Sequence, residues 1–352
     1  MRAFAFDADG RSMAGWPVRL RPGVRLRPGW SPGQTGSVVG EEVAFLEMQS
    51  GGDVSVGTGQ PSHECWLTAV DADGSVLTGT KVRMVDICGG ESWSVGPDGI
   101  AYGVSSAGEG TYGGTKTSSI TALDVDGIRP GWPVTVDGVA SWPALGPGGR
   151  IVVTVGSFDG STSRILTFDS GGKAASTSPK ELPIDTAWWS EDCVTLPITP
   201  IVAEGGTIFV FSDIDPRIYA LDPSLGVVDG WPIEPPSPLL HPNPWYGQEG
   251  ISCPPLSIPA VGPDSTLYLS LMARDETVGG SIVAVGPDGR VRPGWPVELR
   301  RAGAEFWSVV VGSDGTAYAL AIEPETGGAS SATILAIAPD STVLFTITII
   351  EP

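Results

Sequence analysis

Short apolar stretches split by turn residues run the length of the chain. Thr266-Leu267-Tyr268-Leu269, Ser281-Ile282-Val283-Ala284-Val285 and the closing Val343–Ile350, in which Thr alternates with larger apolar residues, are typical. β-Branched and aromatic residues bounded by Gly, Pro and Asp predict strands. Two turn classes alternate between them. One is Gly-Pro-Asp-Gly or a relative, at Ser50–Asp53, Gly96–Gly99, Gly146–Gly149, Ala203–Gly206, Gly262–Ser265 and Gly312–Gly315. The other is Asp-x-Asp-Gly or a relative, at Asp7–Gly10, Asp71–Gly74, Asp124–Gly127, Asp169–Gly172, Asp222–Gly226, Gly286–Gly289 and Ala338–Ser341. Asp caps such turns and Gly accepts positive φ, so both predict β-hairpins.

A longer phrase repeats around the second class. Ala122-Leu123-Asp124-Val125-Asp126-Gly127, then Pro130-Gly131-Trp132-Pro133-Val134, recurs from Ala5 to Val18 and again from Ala284 to Val297, with echoes at Ala220-Leu221-Asp222/Gly230-Trp231-Pro232 and Ala69–Gly74. A period of about fifty residues made of strands and tight turns predicts an all-β fold, a β-propeller of four-stranded antiparallel blades. Strand A precedes Gly-Pro-Asp-Gly, B follows it, C leads into Asp-x-Asp-Gly and D carries Trp-Pro-Val. Six turns of the first class against seven of the second predict six complete blades plus an N-terminal two-strand partial blade, in a six- or seven-bladed ring. The expected division is a single domain over 1–352, with the partial blade at 1–35 and blades near 36–85, 86–138, 139–183, 184–235, 236–302 and 303–352.

These residues resemble the PQQ-like repeats of quinoprotein dehydrogenases and BamB-like scaffolds. Ala122, Asp124, Gly127 and Trp132 match that layout, Ala5, Asp7, Gly10 and Trp16 match with one extra residue, and Gly312-Ser313-Asp314-Gly315-Thr316-Ala317-Tyr318 carries the Gly-x-Asp-Gly-Thr-x-Tyr signature. The blade containing Asp169 and the last blade lack the tryptophan. The resemblance implies a fold, and fold does not imply function. The family's enzymes show adjacent cysteines and an acidic calcium set near PQQ; no Cys-Cys pair occurs here, so no cofactor is expected. The in-register Trp16, Trp132, Trp231 and Trp295 are expected as wedges between blades, each burying about 150–250 Å², rather than as ligand platforms.

Composition narrows the partners. The 49 glycines and 32 prolines fall at regular intervals beside strands and read as turns. Forty acidic against twenty basic side chains give a net charge of −20, which argues against nucleic acid and anionic membrane surfaces. The basic stretch from Arg19 to Arg27 is too short to reverse that. No apolar run reaches the roughly 18 residues of a membrane-spanning helix. The chain opens on Ala3-Phe4-Ala5-Phe6 midway through a repeat, with no visible signal peptide. The expectation is a piece of a longer multidomain chain, extracellular or periplasmic.

Function concentrates on loops carried by a rigid scaffold. The turns between A and B and between C and D are short, whereas the B–C and D–A connections are long and irregular, and these two sets occupy opposite faces. The candidate ligand-binding residues lie in two consecutive D–A connections. Ile184–Thr195 holds Trp188, Trp189, Glu191, Asp192 and Cys193; Ile233–Pro255 holds His241, Trp245, Tyr246, Glu249 and Cys253. Neither obeys the strand pattern. Aromatic rings beside carboxylates suit a sugar, a cation or a peptide; alternatively these loops bury their own rings over the channel mouth. The same face holds all four cysteines. Two disulfides are possible, Cys65–Cys88 and Cys193–Cys253, with free buried thiols as the alternative; bridges would imply an oxidising compartment.

Other motifs carry less. Asp7-x-Asp9-Gly10 and its repeats lack the further oxygen ligands of a calcium loop. Gly108–Gly113 fits Gly-x-Gly-x-x-Gly but precedes a strand, not a helix. His63 and His241 are the only histidines, too few for a His-rich metal site and little material for a Ser/His/Asp triad. The pairs Glu191/Asp192 and Asp213/Asp215 read as loop carboxylates. The expectation is a non-catalytic binding or scaffolding protein for a protein or carbohydrate ligand; the alternative is a propeller enzyme, a quinoprotein-like oxidoreductase, lyase or hydrolase with an acidic funnel.

Overall fold

The computed structural model describes residues 2–3, 14–15, 18–19, 38–39, 43–49, 65–71, 76–80, 93–96, 98–107, 117–124, 127–156, 163–182, 189–190, 193–194, 199–211, 217–235, 259–271, 277–324 and 330–349. Among them there is no α-helix; every sheet is antiparallel. The chain divides into two compact units, Met1–Asp159 with Arg164–Pro179, and Gly160–Ser163 with Lys180–Pro352.

The first unit holds a sheet of Val38–Val39, Val43–Gln49, Cys65–Asp71 and Val76–Thr80 in sequence order. A second joins Trp93–Val95, Ala101–Ala107 and Thr117–Asp124, the last also pairing with Gly127–Ile128 and Val134–Asp137. Val139–Ala140 and Ala144–Gly146 both pair with Arg150–Gly156. Besides the two-stranded pair of Trp189–Ser190 and Cys193–Val194, the second unit holds these described sheets: Ile201–Val202, Ile208–Val210 and Tyr219–Leu221, with Ile218 bridging to Ile233; then Ala260–Val261, Leu267–Leu271, Ser281–Val285 and Val297–Glu298; then Glu305–Val311, Ala317–Pro324, Ser330–Ile337 and Val343–Ile349. Strands run in the expected order A, B, C, D.

Inner strands read as continuous apolar runs because both faces are covered. Leu267–Leu271 and Ser281–Val285 are buried throughout. Within the second unit one sheet face packs on the next: Phe209, Phe211, Ile218, Ala220 and Trp231 lie against Leu267, Leu269, Leu271, Val283 and Val285. At about 25 cal/mol per Å² of apolar surface, such faces supply the dominant favourable term.

The recurring tryptophans do what the repeat predicts at the three described positions. Trp132, Trp231 and Trp295 are each 7% exposed. Their rings meet a strand-B aromatic, edge-on for Tyr102 at 5.8 Å and Tyr268 at 5.5 Å and tilted for Phe209 at 5.3 Å between centroids. Each indole Nε1–H donates to a carbonyl in the C–D turn of the following sheet: Ser170 at 3.0 Å, Pro287 at 3.0 Å and Pro339 at 3.1 Å. The glycine before each tryptophan has positive φ, 87° at Gly131, 88° at Gly230 and 86° at Gly294. It lies against the backbone of that same turn. A Cβ on Gly131 would collide with the Gly171 carbonyl, and one on Gly172 would sit 2.6 Å from the Gly131 carbonyl oxygen.

The sheet containing Asp169 keeps this geometry without the indole. Ser178 N–H donates to Ala175 and Ala175 N–H to Thr167, the pattern that links Trp295 to Arg292 and Arg292 to Ala284. Ser178 also precedes a cis proline, as do Trp132, Trp231 and Trp295. Within the second unit, Lys180 Nζ donates to the Leu225 carbonyl of the next C–D turn.

Gly131→Ala therefore meets two penalties, the left-handed backbone and a backbone collision, whereas Gly99→Ala, at φ 74° with nothing within 4 Å, meets only the first. We expect Gly99→Ala to cost about 1 kcal/mol and Gly131→Ala clearly more, measured as urea midpoints; equal losses would refute the turn-on-turn contact.

Candidate functional site

Antiparallel order fixes which connections share an end of a sheet. In the Trp231 sheet, strand A starts, strand B stops and the Ile233 segment stops at one end. In sequence, the candidate segment Ile184–Thr195 precedes this strand A and the segment Ile233–Pro255 begins at the Ile233 that bridges to Ile218. Trp189–Ser190 pairs with Cys193–Val194 in the register Trp189↔Val194 and Ser190↔Cys193. This corrects the expectation that Ile184–Thr195 departs from strand pattern. Two residues separate the paired strands, the length of a tight hairpin link; the run was too short to display period-2 alternation. Trp188, Glu191, Asp192, His241, Trp245, Tyr246 and Glu249 lie outside the described residues, as do Cys88 and Cys253, Asp213 and Asp215. Cys65 begins the strand Cys65–Asp71.

Two described residues at the long-loop ends escaped sequence reasoning. Arg217 lies two residues before the strand Tyr219–Leu221 of the Trp231 sheet, its guanidinium 5.8 Å from the centroid of the Tyr219 ring. A basic residue two before a strand tyrosine is the only signal, and it is weak. Glu305 opens strand A of the last sheet, after the D–A connection, and burial pushes its carboxyl above the usual range. Arg301 in that connection pairs with Glu323 at 3.8 Å.

The opposite, short-turn end is organised differently. Asp98, Asp264 and Asp314 accept hydrogen bonds from the N–H two residues on, Ile100 at 3.2 Å, Thr266 at 3.1 Å and Thr316 at 2.9 Å. Asp169 and Asp222 each accept two backbone N–H groups. Burial alone would raise the Asp264 carboxyl, but the Thr266 hydroxyl and N–H and the Arg292 guanidinium outweigh it and hold it low. Burial, then Asp98, pushes the Tyr102 hydroxyl up to about 12. Among the described residues no cluster of three or more His, Cys, Asp or Glu is arranged to hold a metal, and no helix is long and apolar enough to cross a membrane.

No protein-family model matches the sequence, and no curated protein matches it. Among solved structures, the chain is similar to a puromycin hydrolase mutant complexed with PGG, at 14% identity over 94% of this chain and 47% of that one, with a TM-score of 0.50. It is also similar to virginiamycin B lyase from Staphylococcus aureus, at 12% identity over 88% of this chain and 100% of that one, TM-score 0.43. A protein of unknown function from Bacteroides caccae shares 11% identity over 80% of this chain and 89% of that one, TM-score 0.42. The chain has the β-propeller fold, built from several antiparallel sheets. At such identities the likeness speaks of fold alone.

The two perturbed carboxyls act on stability with opposite signs. Asp264 is lowered, so its contribution is present above the unfolded carboxylate value and lost as pH falls through the folded one. Glu305 is raised, so stability is full at low pH and falls as pH rises from the unfolded value through the folded one. We expect Glu305→Gln to raise the urea midpoint at neutral pH with a gain that vanishes near pH ~4, and Asp264→Asn to flatten the acid limb.

Proposed function

We propose that the chain is a non-catalytic binding or scaffolding propeller that recognises a protein or glycan through its B–C and D–A loops. One observation supports the reading: in sequence the two aromatic-and-acidic segments come just before strand A and just after Ile233 of the Trp231 sheet, whose side chains Ile208, Phe209, Ile218, Ala220 and Leu221 are wholly or almost wholly buried. Rigid sheets below and aromatic loops above favour recognition, because large aromatic anchors carry most binding energy. Trp188, Trp189, Trp245 and Tyr246 are the anchors, with Glu191, Asp192, His241 and Glu249 as polar contacts. The location is extracellular or periplasmic, where Cys65–Cys88 and Cys193–Cys253 would be bridged. The repeat descends from the PQQ-like group, a reading supported by Gly312–Tyr318, where the Asp314 carboxylate accepts from both the hydroxyl and the N–H of Thr316.

A second reading, an enzyme with an acidic site, is favoured by Glu305 alone, since burial raises its carboxyl in the direction that general-acid work requires. Glycan and peptide arrays separate the two. The double variant Trp189→Ala/Trp245→Ala should weaken the best array ligand at least tenfold, about 1.4 kcal/mol, while Glu305→Gln leaves it unchanged. Unchanged affinity in the double variant removes this site.

A further inference from the structure

The outer strand of each sheet is an edge, and edges invite pairing with another chain unless short, charged or interrupted by proline. The sheets with a Trp-Pro motif have that protection. Val134–Asp137 is four residues, follows Pro133 and ends on exposed Asp137. Val297–Glu298 is two residues, follows Pro296 and ends on exposed Glu298. The Cys65–Asp71 sheet has no Trp-Pro motif, and its outer strand Val76–Thr80 is five residues and contains Gly79. The last sheet breaks the rule. Val343–Ile349 is seven residues with no charge, proline or glycine, and among the described residues only Ser330–Ile337 pairs with it. Leu344 is 56% exposed, Phe345 46% and Ile347 53%.

We propose that this edge pairs with the same edge of a second copy, antiparallel and centred on Thr346, to form a continuous eight-stranded sheet across a two-fold axis. The sequence is self-complementary in that register. Phe345 falls opposite Ile347 of the second copy, apolar on apolar, on the face where Phe345 already meets Tyr318 at 6.4 Å between centroids. Leu344 falls opposite Thr348 of the second copy. Cross-strand pairs of this kind and the shared backbone hydrogen bonds are the units of sheet stability, and an isologous contact closes on itself. Charge selects the location. A copy carrying −20 repels another copy, and this uncharged strand lets two backbones meet without placing carboxylates face to face. Screening of the remaining repulsion makes the association stronger at higher salt.

Sedimentation velocity on the full chain tests this across a concentration series at low and high salt. The wild type should dimerise, more so at high salt. Thr346 is exposed, so T346K and T346E keep the fold, checked by circular dichroism. Each should be monomeric, because like charges then face one another at the two-fold axis. An equimolar mixture of the two should recover a dimer. Ile347→Lys should also be monomeric. A monomeric wild type at every concentration and salt overturns the proposal. So does a dimer that survives T346K and T346E separately, or a charge-swapped mixture that stays monomeric.

Discussion

One constraint governs the rest of the molecule: a tryptophan N–H in one sheet must reach a carbonyl in a turn of the next. A four-stranded sheet with both faces apolar cannot stand alone in water, because each face must be covered. Hydrophobic burial alone would allow neighbouring sheets to slide, since it has no direction. The indole bonds of Trp132, Trp231 and Trp295, together with glycine backbones seated on those turns, fix the offset. Each bond is modest, of order 1 kcal/mol net. Its value lies in repetition and in leaving no polar atom of the buried ring unpaired.

That constraint explains why variation is confined to one end of each sheet. A C–D turn that receives a neighbour's tryptophan and glycine cannot lengthen without losing both contacts. The A–B turns are similarly committed, with Tyr268 reaching the Gly315 carbonyl at 3.4 Å. The longer connections accumulate at the other end. The same commitment changes what the net charge of −20 means. Asp98, Asp169, Asp222, Asp264, Asp314 and Asp340 each cap the backbone of their own turn. These carboxylates are structural parts, so the acidic balance is partly a by-product of turn chemistry rather than a description of a partner.

The strand order, turn types and tryptophan role were legible because each depends on residues close in sequence and repeated in register. Asp and Gly at fixed offsets specify a hairpin wherever they occur. Three features were hidden for a common reason. Ser178 in the tryptophan position, the Lys180 contact to Leu225 and the raised Glu305 carboxyl depend on partners or burial that local pattern does not encode. The hairpin at Trp189 was hidden because two paired residues per strand display no period. In the candidate site, the loops were recognisable as exceptions to the repeat. Irregularity marks a place and does not specify a geometry.

The last sheet illustrates how one substitution in the repeat propagates. It has no Trp-Pro after its C–D turn; instead Val343 follows Ala338–Ser341 almost at once and pairs with Ile337. In the Trp295 sheet the chain leaves Val285, bridges back to it once at Val291, builds the docking surface, and resumes the ladder only at Val297 and Glu298. Removing the motif therefore removes the tie to a following sheet and, in the same step, returns those residues to the ladder. The strand gains length because it has lost a neighbour-seeking function. Phe345 then fills space beside Tyr318 that Trp295 occupies beside Tyr268. In the last sheet the long apolar edge accompanies the missing tryptophan, whereas the sheet containing Asp169, which also lacks it, ends on the three-residue charged strand Lys180–Leu182.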